Sequence, residues 1–496
     1  MHQSVSRVLA RLRDHPLLRQ VGRAADEQGH LPVYVVGGFV RDALLERSGA
    51  LDIDLVCADP SSLATVLQKR FTGTVVSLGM RVQRVVFPWR GEPVQVDISP
   101  LKGSSIVDDL HRRDFTVNAC AFSLGEEPPC LIDPTGGLQD LAAGRIRMTD
   151  PQLLAEDPLR LLRAVRLAAQ LHFGIDESTI QAIHERAALL SNVAGERLRE
   201  ELFGTLDCSE AGYWLGVMDD LALLEAVFPE IRAMRGCLQG SPHRFDVLRH
   251  SIETVRSLDR ILLALPKFLP RDATSLIGPL QAEVEGGISR RALLRFTALL
   301  HDVGKPDCRS MEEGQIRFLG HAVRGAGMVE EISGRLRLGS RATTIAVALV
   351  RDHLRPLFLR QSEPITPRAR YRFWRDLGDV SADLLLLSLA DIRATWGGEG
   401  RAFRAHLRFV REMFAFQREQ IGPTGPRRLM DGDELMTQFD LSPGPFLGFV
   451  LERIQEEASL GTLKTKEDAV EYLQFYLKEL REEFVRTQSV DRKGKR

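Results

Sequence analysis

The sequence has few cysteines, few aromatic residues and no excess of either charge. Six cysteines are scattered along 496 residues without a CxxC pair, which disfavours a disulfide framework and a cysteine zinc site and fits a reducing compartment. Lys plus Arg (66) nearly balance Asp plus Glu (67), so the net charge of -1 creates no chain-wide field for a polyanion. Any nucleic-acid surface must therefore be local.

Long apolar runs are also missing. No run approaches the ~18–20 residues that a membrane span requires, and the charged N-terminus lacks the apolar core of a secretory signal. We therefore expect a cytoplasmic protein with no membrane partner. The sequence does not determine the oligomeric state.

The length implies about three or four domains, at roughly 100–200 residues each. Short β-branched runs with Gly and Pro between them predict a mixed α/β head at residues 1–150, and helical patterns dominate afterwards. Breaks rich in Pro and Gly near residues 245 and 425 divide the helical part. We expect a neck and body at 151–245, a further helical domain at 246–400 and a helical tail at 401–496. The predicted head strands are Val33–Val36, Ile53–Cys57, Thr74–Ser77, Arg84–Phe87 and Val94–Ile98.

Two glycines, Gly37 and Gly38, follow the first predicted strand and precede a helix with Arg41 in its first turn. Backbone N–H groups and a guanidinium in that order can approach a phosphate closely. A Gly-Gly pair alone is weak support for such a site. It becomes informative together with the carboxylates on the next strand.

Asp52 and Asp54 lie two residues apart on that strand, so both carboxylates share one face. Adjacent carboxylates repel each other unless a divalent cation binds between them, and oxygen ligands suit Mg²⁺. Asp97, on another alternating strand, is a candidate third carboxylate. A solvated strand edge would explain the aspartates alone. The preceding glycines and the arginine-rich segments downstream favour a nucleotidyl-transfer metal site.

Two arginine-rich segments follow. Arg113 lies in RRDFTVNA (112–119), which composition alone would also explain as a charged helix start. Downstream, four charged residues recur every third position and predict one helix face. An Asp can accept from an amino group and an Arg can donate, so such a pair can read base edges. A salt-bridged surface helix is the alternative. The four residues are Asp157, Arg160, Arg163 and Arg166.

A third group of residues lies between residues 246 and 395. Its members are ligands typical of divalent metals, and the adjacent pair His301-Asp302 at a predicted helix end resembles the signature of the HD phosphohydrolase superfamily. They predict a site for one or two divalent metal ions of unknown identity. Lys305 beside them could contact a phosphate or extend to solvent at the helix end. His111 and His243 match no motif and are expected to be structural. The ligand candidates are His250, His301, Asp302, His321, His353 and Asp391.

The ordered motifs GGFVRD, LDIDL, RRDFTVNA, IDPTGGLQDL and EDPLRLLRAVRLA resemble those of class II tRNA nucleotidyltransferases and bacterial poly(A) polymerases. The resemblance covers residues 31–230, and GERLREEL (195–202) is similar to that family's ERxxxEL helix. It implies a polymerase-β-type head with a mixed sheet, followed by a mostly helical neck, body and HD domain. It also implies CTP or ATP and tRNA as partners.

The resemblance assigns expected roles to individual residues. Asp52 and Asp54 would hold Mg²⁺, and Gly38 and Arg41 would contact the triphosphate. Arg113 would contact nucleotide or brace the site. The helix that begins near Asp157 would select the nucleotide, with Asp157 and Arg160 pairing with the base, and Arg163 and Arg166 continuing that binding surface.

The segment between Asp97 and Asp109 is short, whereas complete CCA-adding members have a longer flexible loop there. A short segment at this position is similar to that of CC-adding members, and this resemblance implies a separate A-adding enzyme in the same cell. The alternatives are a poly(A) polymerase that uses ATP, an HD phosphohydrolase with an inactive head, and a non-catalytic tRNA-binding scaffold. Basic tail residues, including Arg427 and Arg428, would contact tRNA or form a solvated surface.

Overall fold

The computed structural model describes residues 2–27, 32–47, 52–79, 81–124, 130–362, 364–422 and 429–493. Arg427 and Arg428, with their predicted tRNA contact, lie outside this range. The chain divides into two compact units, Met1–Arg232 with Arg335–Arg337 (unit 1) and Ala233–Gly334 with Leu338–Arg496 (unit 2). This division falls before the break predicted near residue 245. Within the described ranges, no helix combines the length and apolar character needed to cross a membrane.

Unit 1 contains a mixed sheet, and its five predicted strands are confirmed. Seven strands pair in the order β3-β4-β5-β2-β1-β6-β7, with β2 and β5 parallel. A separate short pair, β8 and β9, lies downstream. The strands are β1 (Val33–Val36), β2 (Asp52–Cys57), β3 (Thr74–Leu78), β4 (Val82–Trp89), β5 (Glu92–Pro100), β6 (Ala121–Leu124), β7 (Leu131–Ile132), β8 (Arg145–Ile146) and β9 (Gly174–Ile175).

The helices of unit 1 lie around this sheet and continue beyond it. They are α1 (His2–Asp14), α2 (Pro16–Asp26), α3 (Gly38–Leu44), α4 (Pro60–Phe71), α5 (Ile106–His111), α6 (Gly137–Ala143), α7 (Pro151–Glu156), α8 (Leu159–Leu171), α9 (Glu177–Arg186), α10 (Gly195–Leu206), α11 (Ala211–Asp220) and α12 (Leu223–Val227), with α13 (Ile231–Met234) at the division between the units.

Strand alternation separates the two faces of the sheet. Ile53 and Leu55 of β2 enter the large apolar core that also contains α1, α2 and α4. The opposite face carries only a small apolar cluster, which includes Ile106 of α5. Asp52 and Asp54 alternate with the core residues and therefore lie on this second face, which leaves the carboxylates accessible.

The connection between β5 and α5 consists of residues 101–105 and is held tightly. Ser105 and Asp108 form a capping box, and Asp108 Oδ2 also accepts from Ser104 N at 2.8 Å. Asp109 Oδ1 accepts from Lys102 N at 3.1 Å. At Gly103 (φ 107°), a Cβ would lie 2.5 Å from the Asp108 Cβ, so glycine is required. The short segment predicted here is thus a pinned turn.

Unit 2 is helical apart from two short hairpins. Its helices are α14 (Val247–Leu263), α15 (Leu265–Phe268), α16 (Ala273–Gln281), α17 (Arg290–Leu300), α18 (His321–Arg335), α19 (Ser340–Asp352), α20 (Arg355–Gln361), α21 (Pro367–Leu377), α22 (Ser381–Trp396), α23 (Arg401–Phe416), α24 (Gly432–Phe439), α25 (Pro445–Ser459) and α26 (Lys466–Lys493). The hairpins are β10 (Glu283–Glu285) with β11 (Ile288–Ser289), and β12 (Ser310–Glu312) with β13 (Gln315–Arg317).

Two cores form within unit 2. Helices α14, α17, α22 and α23 pack together, whereas α24–α26 enclose a separate core that begins at Met430. Helix α23 therefore packs with the region before residue 400, although the predicted tail begins at 401. The small bundle is attached to α21 by ion pairs, in which Arg372 Nε lies 2.9 Å from the buried Glu456 Oε1.

Candidate functional site

Three carboxylates meet on the accessible face of the head sheet. The parallel register pairs Asp54 with Asp97, and Asp52 lies two residues before Asp54 on β2. Burial raises the pKa of Asp54, and the nearby charges of Asp97 and Asp52 raise it further, partly offset by Arg113. Arg84 binds Asp97 through Nε and Nη2, both at 2.8 Å. Crowded oxygen ligands of this kind suit a divalent cation such as Mg²⁺.

The glycine turn lies directly beside these carboxylates. Gly37 has φ 74°, and a Cβ there would lie 3.0 Å from Asp54 Oδ2. Helix α3 starts at Gly38, and its Arg41 is fixed by Asp42 (Nε–Oδ1 2.8 Å) and by Asn118 (Nη1–Oδ1 2.8 Å). The turn thus lies close enough to Asp54 for its backbone to approach a ligand there, and its phosphate-binding role stays a prediction.

The RRD motif connects this turn to the helices that follow. Arg113 donates through Nε and Nη2 to the buried Asp109, both at 3.1 Å. Asp114, also buried, accepts from Asn118 Nδ2 at 3.3 Å and from Arg163 Nη1 at 3.1 Å. Sequence reasoning gave Asp114 and Asn118 no role, although both lie within a quoted motif.

Asp157 is not on the predicted helix face. Its backbone is extended (φ -135°, ψ 91°), and α8 begins after it at Leu159. Its carboxylate accepts from Arg197 Nη2 at 2.8 Å, while Arg160 Nη1 donates to Leu153 O at 3.0 Å. Burial would raise the pKa of Asp157, but Arg197 lowers it below its ordinary value. The prediction of a continuous helical stripe is wrong at Asp157, because the residue before a proline disfavours the helical conformation.

Arg163 and Arg166 lie between α8 and α10. Both bind the buried Glu201, through Arg163 Nε at 3.1 Å and Arg166 Nε at 2.5 Å. The Arg166 stem crosses α10 where a Cβ on Gly204 would lie 2.6 Å from Arg166 Cδ. Burial lowers the pKa of Arg163, but Asp114 and Glu201 outweigh this and raise it. The alternative of salt bridges within the helix is wrong, since these carboxylates come from other elements.

The structure brings the six predicted ligands of unit 2 together around the buried Asp302. His250 and His301 face its Oδ2, with Nε2 atoms at 3.6 and 3.1 Å. His321 and His353 face its Oδ1, at 3.4 and 3.6 Å. The sixth ligand candidate, Asp391, lies 3.0 Å from His250 Nε2.

The hydrogen bonds of the rings fit a metal site. Nδ1 of His301, His321 and His353 lies 2.7–2.9 Å from a backbone carbonyl, to which it donates, so each Nε2 carries a lone pair toward Asp302. His301 Nε2 is buried without a hydrogen-bond partner. Lone pairs that converge on a carboxylate need a cation between them. These residues could hold two divalent ions, one on each side of Asp302.

The charges of this cluster are strongly coupled. Burial would raise the pKa of Asp302, but His301 and Lys305 hold it well below its ordinary value. Burial lowers the pKa of His353 to about 4. The imidazole of His353 is therefore neutral near pH 7 and available as a metal ligand.

Lys305 is buried beside Asp302, so its extension to solvent is wrong. Its Nζ lies 2.6 Å from Asp302 Oδ2 and donates to Gln239 Oε1 at 2.7 Å. The His243 ring packs 5.1 Å from that of His250, and burial lowers the pKa of His243 to about 4. Sequence reasoning missed Gln239 and treated His243 as structural, because no motif marks the segment that contains them.

Three known family models match successive parts of the chain. Residues 33–147 match the family described as the poly A polymerase head domain, and residues 172–234 match the probable RNA and SrmB- binding site of polymerase A. Residues 247–391 match the HD domain. The three matches follow one another in the order of the candidate sites.

Whole-chain relatives extend this result. The chain is 33% identical to the A-adding tRNA nucleotidyltransferase of Deinococcus radiodurans, over 90% of this chain and 95% of that protein. It is 31% identical to the CC-adding tRNA nucleotidyltransferase of Geobacter sulfurreducens, over 90% and 92%. The solved structure of the Thermotoga maritima CCA-adding enzyme complexed with tRNA aligns with a TM-score of 0.64 at 23% identity, over 95% of this chain and 98% of that one, which shows the fold.

Proposed function

Since the chain belongs to the tRNA nucleotidyltransferase family, we propose that unit 1 transfers cytidylate from CTP to tRNA 3′ ends and stops after CC. The observation that supports this specificity is the pinned connection 101–105, which replaces the longer loop expected of complete CCA-adding members. A separate enzyme in the same cell would then add the terminal A.

Each group on the accessible face has a role in this reaction. Asp52 and Asp54 would hold Mg²⁺, which supplies charge neutralisation to the triphosphate and acidity to the RNA 3′-hydroxyl. The Gly37 turn and Arg41 bind the phosphates and orient the α-phosphate toward that hydroxyl. Asp97, bound to Arg84, keeps a further negative charge beside Asp54.

Base selection is assigned to the start of α8. The Asp157 carboxylate accepts from the exocyclic amino group of the base, and the Arg160 guanidinium donates to a ring acceptor. Both side chains are partly exposed. Arg197 holds the Asp157 carboxylate, and the Leu153 carbonyl oxygen holds the Arg160 guanidinium. Arg163 and Arg166 support the helix through Glu201, so we assign them a structural contribution to nucleotide binding.

The test extends three tRNA transcripts, which end at the discriminator base, at C and at CC, with CTP, ATP or both. Addition that stops at CC supports the proposal. Completion to CCA, or A addition to the CC transcript, overturns the specificity. A long A-tail from ATP alone would instead indicate a poly(A) polymerase. Asp52→Ala is the control variant and should show no incorporation.

We also propose that unit 2 hydrolyses phosphate esters with the aid of divalent metal held by its histidines and aspartates. The arrangement of two histidine pairs on opposite oxygens of Asp302 supports this second function. Lys305 would bind a phosphate oxygen near Asp302. Hydrolysis of bis(p-nitrophenyl) phosphate with Mg²⁺, Mn²⁺ or Ni²⁺ should survive Asp52→Ala and be lost in Asp302→Asn. Hydrolysis without any nucleotide addition by the unmodified protein would indicate an inactive head.

A further inference from the structure

Arg47 follows α3 and reaches the carboxyl end of α8. Its Nη1 donates to Gln170 O and its Nη2 donates to Leu171 O, both at 3.1 Å. The last four carbonyls of a helix have no partner within that helix, and α8 ends at Leu171. Arg47 therefore satisfies two terminal carbonyls and places a positive charge at the negative end of the helix dipole.

Among the described residues, a second hydrogen-bonded path also connects the α3 region with α8. It runs from Arg41 through Asn118 and Asp114 to Arg163, near the start of α8. An α-helix is rigid over a length of this kind, so this path constrains one end of α8 relative to α3, and the Arg47 contact constrains the other end. Two attachments at separate points fix both the position and the tilt of α8.

We infer that Arg47 is a positioning residue that fixes the separation between the phosphate-binding end of α3 and the base-reading end of α8. This inference rests on the function proposed for unit 1. A fixed distance between these two ends favours either a pyrimidine base or a purine base. Loss of the Arg47 contact would let α8 tilt and so weaken discrimination between CTP and ATP. Arg47 contacts only main-chain carbonyls of α8, so its role lies outside the quoted motifs.

The test measures kcat and KM for CTP and for ATP on tRNA that ends in C, with Arg47→Gln and Arg47→Lys. We expect Arg47→Gln to reduce the ratio of kcat/KM values by about two- to fivefold, the size of a helix-terminus charge interaction. Arg47→Lys keeps one donor and the charge, and should retain most of the ratio. The matched control is Arg70→Gln, because Arg70 Nη1 also donates to a carbonyl, Gln20 O at 2.9 Å, but on α2.

The ratio distinguishes positioning from stability, since partial unfolding lowers activity with both nucleotides equally. An unchanged ratio in Arg47→Gln, or an equal change in Arg70→Gln, would overturn the inference. If Arg47→Gln does not fold, Arg47→Lys becomes the test. A ratio that falls slightly while thermal stability stays normal supports the inference, and an unchanged ratio, or a fall in kcat/KM equal in size for both nucleotides, contradicts it. Absence of nucleotide addition by the unmodified protein would instead refute the proposed function.

Discussion

Replacement of Glu201 by Gln tests whether Arg163 and Arg166 are held between helices. The Glu201 side chain is 6% exposed, against 36% for Arg163 and 24% for Arg166. Removal of one member of a buried ion pair costs about 3–5 kcal/mol. Because both guanidinium groups can turn partly to water and Gln keeps an acceptor, we expect about 2 kcal/mol of lost unfolding free energy.

Urea unfolding of Glu201→Gln, Arg166→Met and the double variant measures this interaction as a cycle. Glu201 is the carboxylate that binds Arg166, so we expect a coupling energy of about 1 kcal/mol. Arg166→Met should also change the KM for CTP less than about twofold, whereas Arg160→Met should raise it about tenfold, or about 1.4 kcal/mol. Single losses that add within about 0.5 kcal/mol, or an equal KM rise in Arg166→Met, would refute this reasoning.

Three further outcomes are expected. Asp54→Asn should abolish nucleotide addition and weaken Mn²⁺ binding measured by electron paramagnetic resonance, while phosphate-ester hydrolysis by unit 2 persists. Burial lowers the pKa of His406 to about 3, so stability that is present above pH ~6.5 is lost as the pH falls, by about 2 kcal/mol at pH 5; denaturant titrations of His406→Gln should lack this slope. Gly304→Ala places a Cβ 2.4 Å from His321 O and 2.5 Å from Gly325 N, so we expect about 2 kcal/mol of destabilisation and a lower metal content by mass spectrometry.

Features that depend on short-range geometry were predictable from sequence. The alternation of β2 placed Asp52 and Asp54 on one face, and the structure finds that face away from the large core. The non-helical backbone at Asp157 was also predictable, because Pro158 follows it. The three-residue spacing predicts a stripe that includes Asp157, but Pro158 keeps Asp157 out of the helix.

The partners in the ion pairs could not be predicted from the sequence. Arg163 binds carboxylates 49 residues before and 38 residues after it in the sequence, so its environment depends on the packing of three separate elements. Lys305 shows the same limit, because a lysine at a helix end ordinarily extends to water. Here the buried charge of Asp302 provides the partner that keeps its ammonium inside.

The pinned turn at residues 101–105 has a consequence for how additions are counted. Asp108 and Asp109 hold its backbone by hydrogen bonds, which constrain this part of unit 1 against a change of conformation between successive nucleotides. A protein that adds two identical nucleotides and then stops must sense the number of added nucleotides by a means other than a change in this turn. If unit 1 stops after CC as proposed, the RNA itself would report the count, because its growing 3′ end would occupy more of a fixed space after each addition.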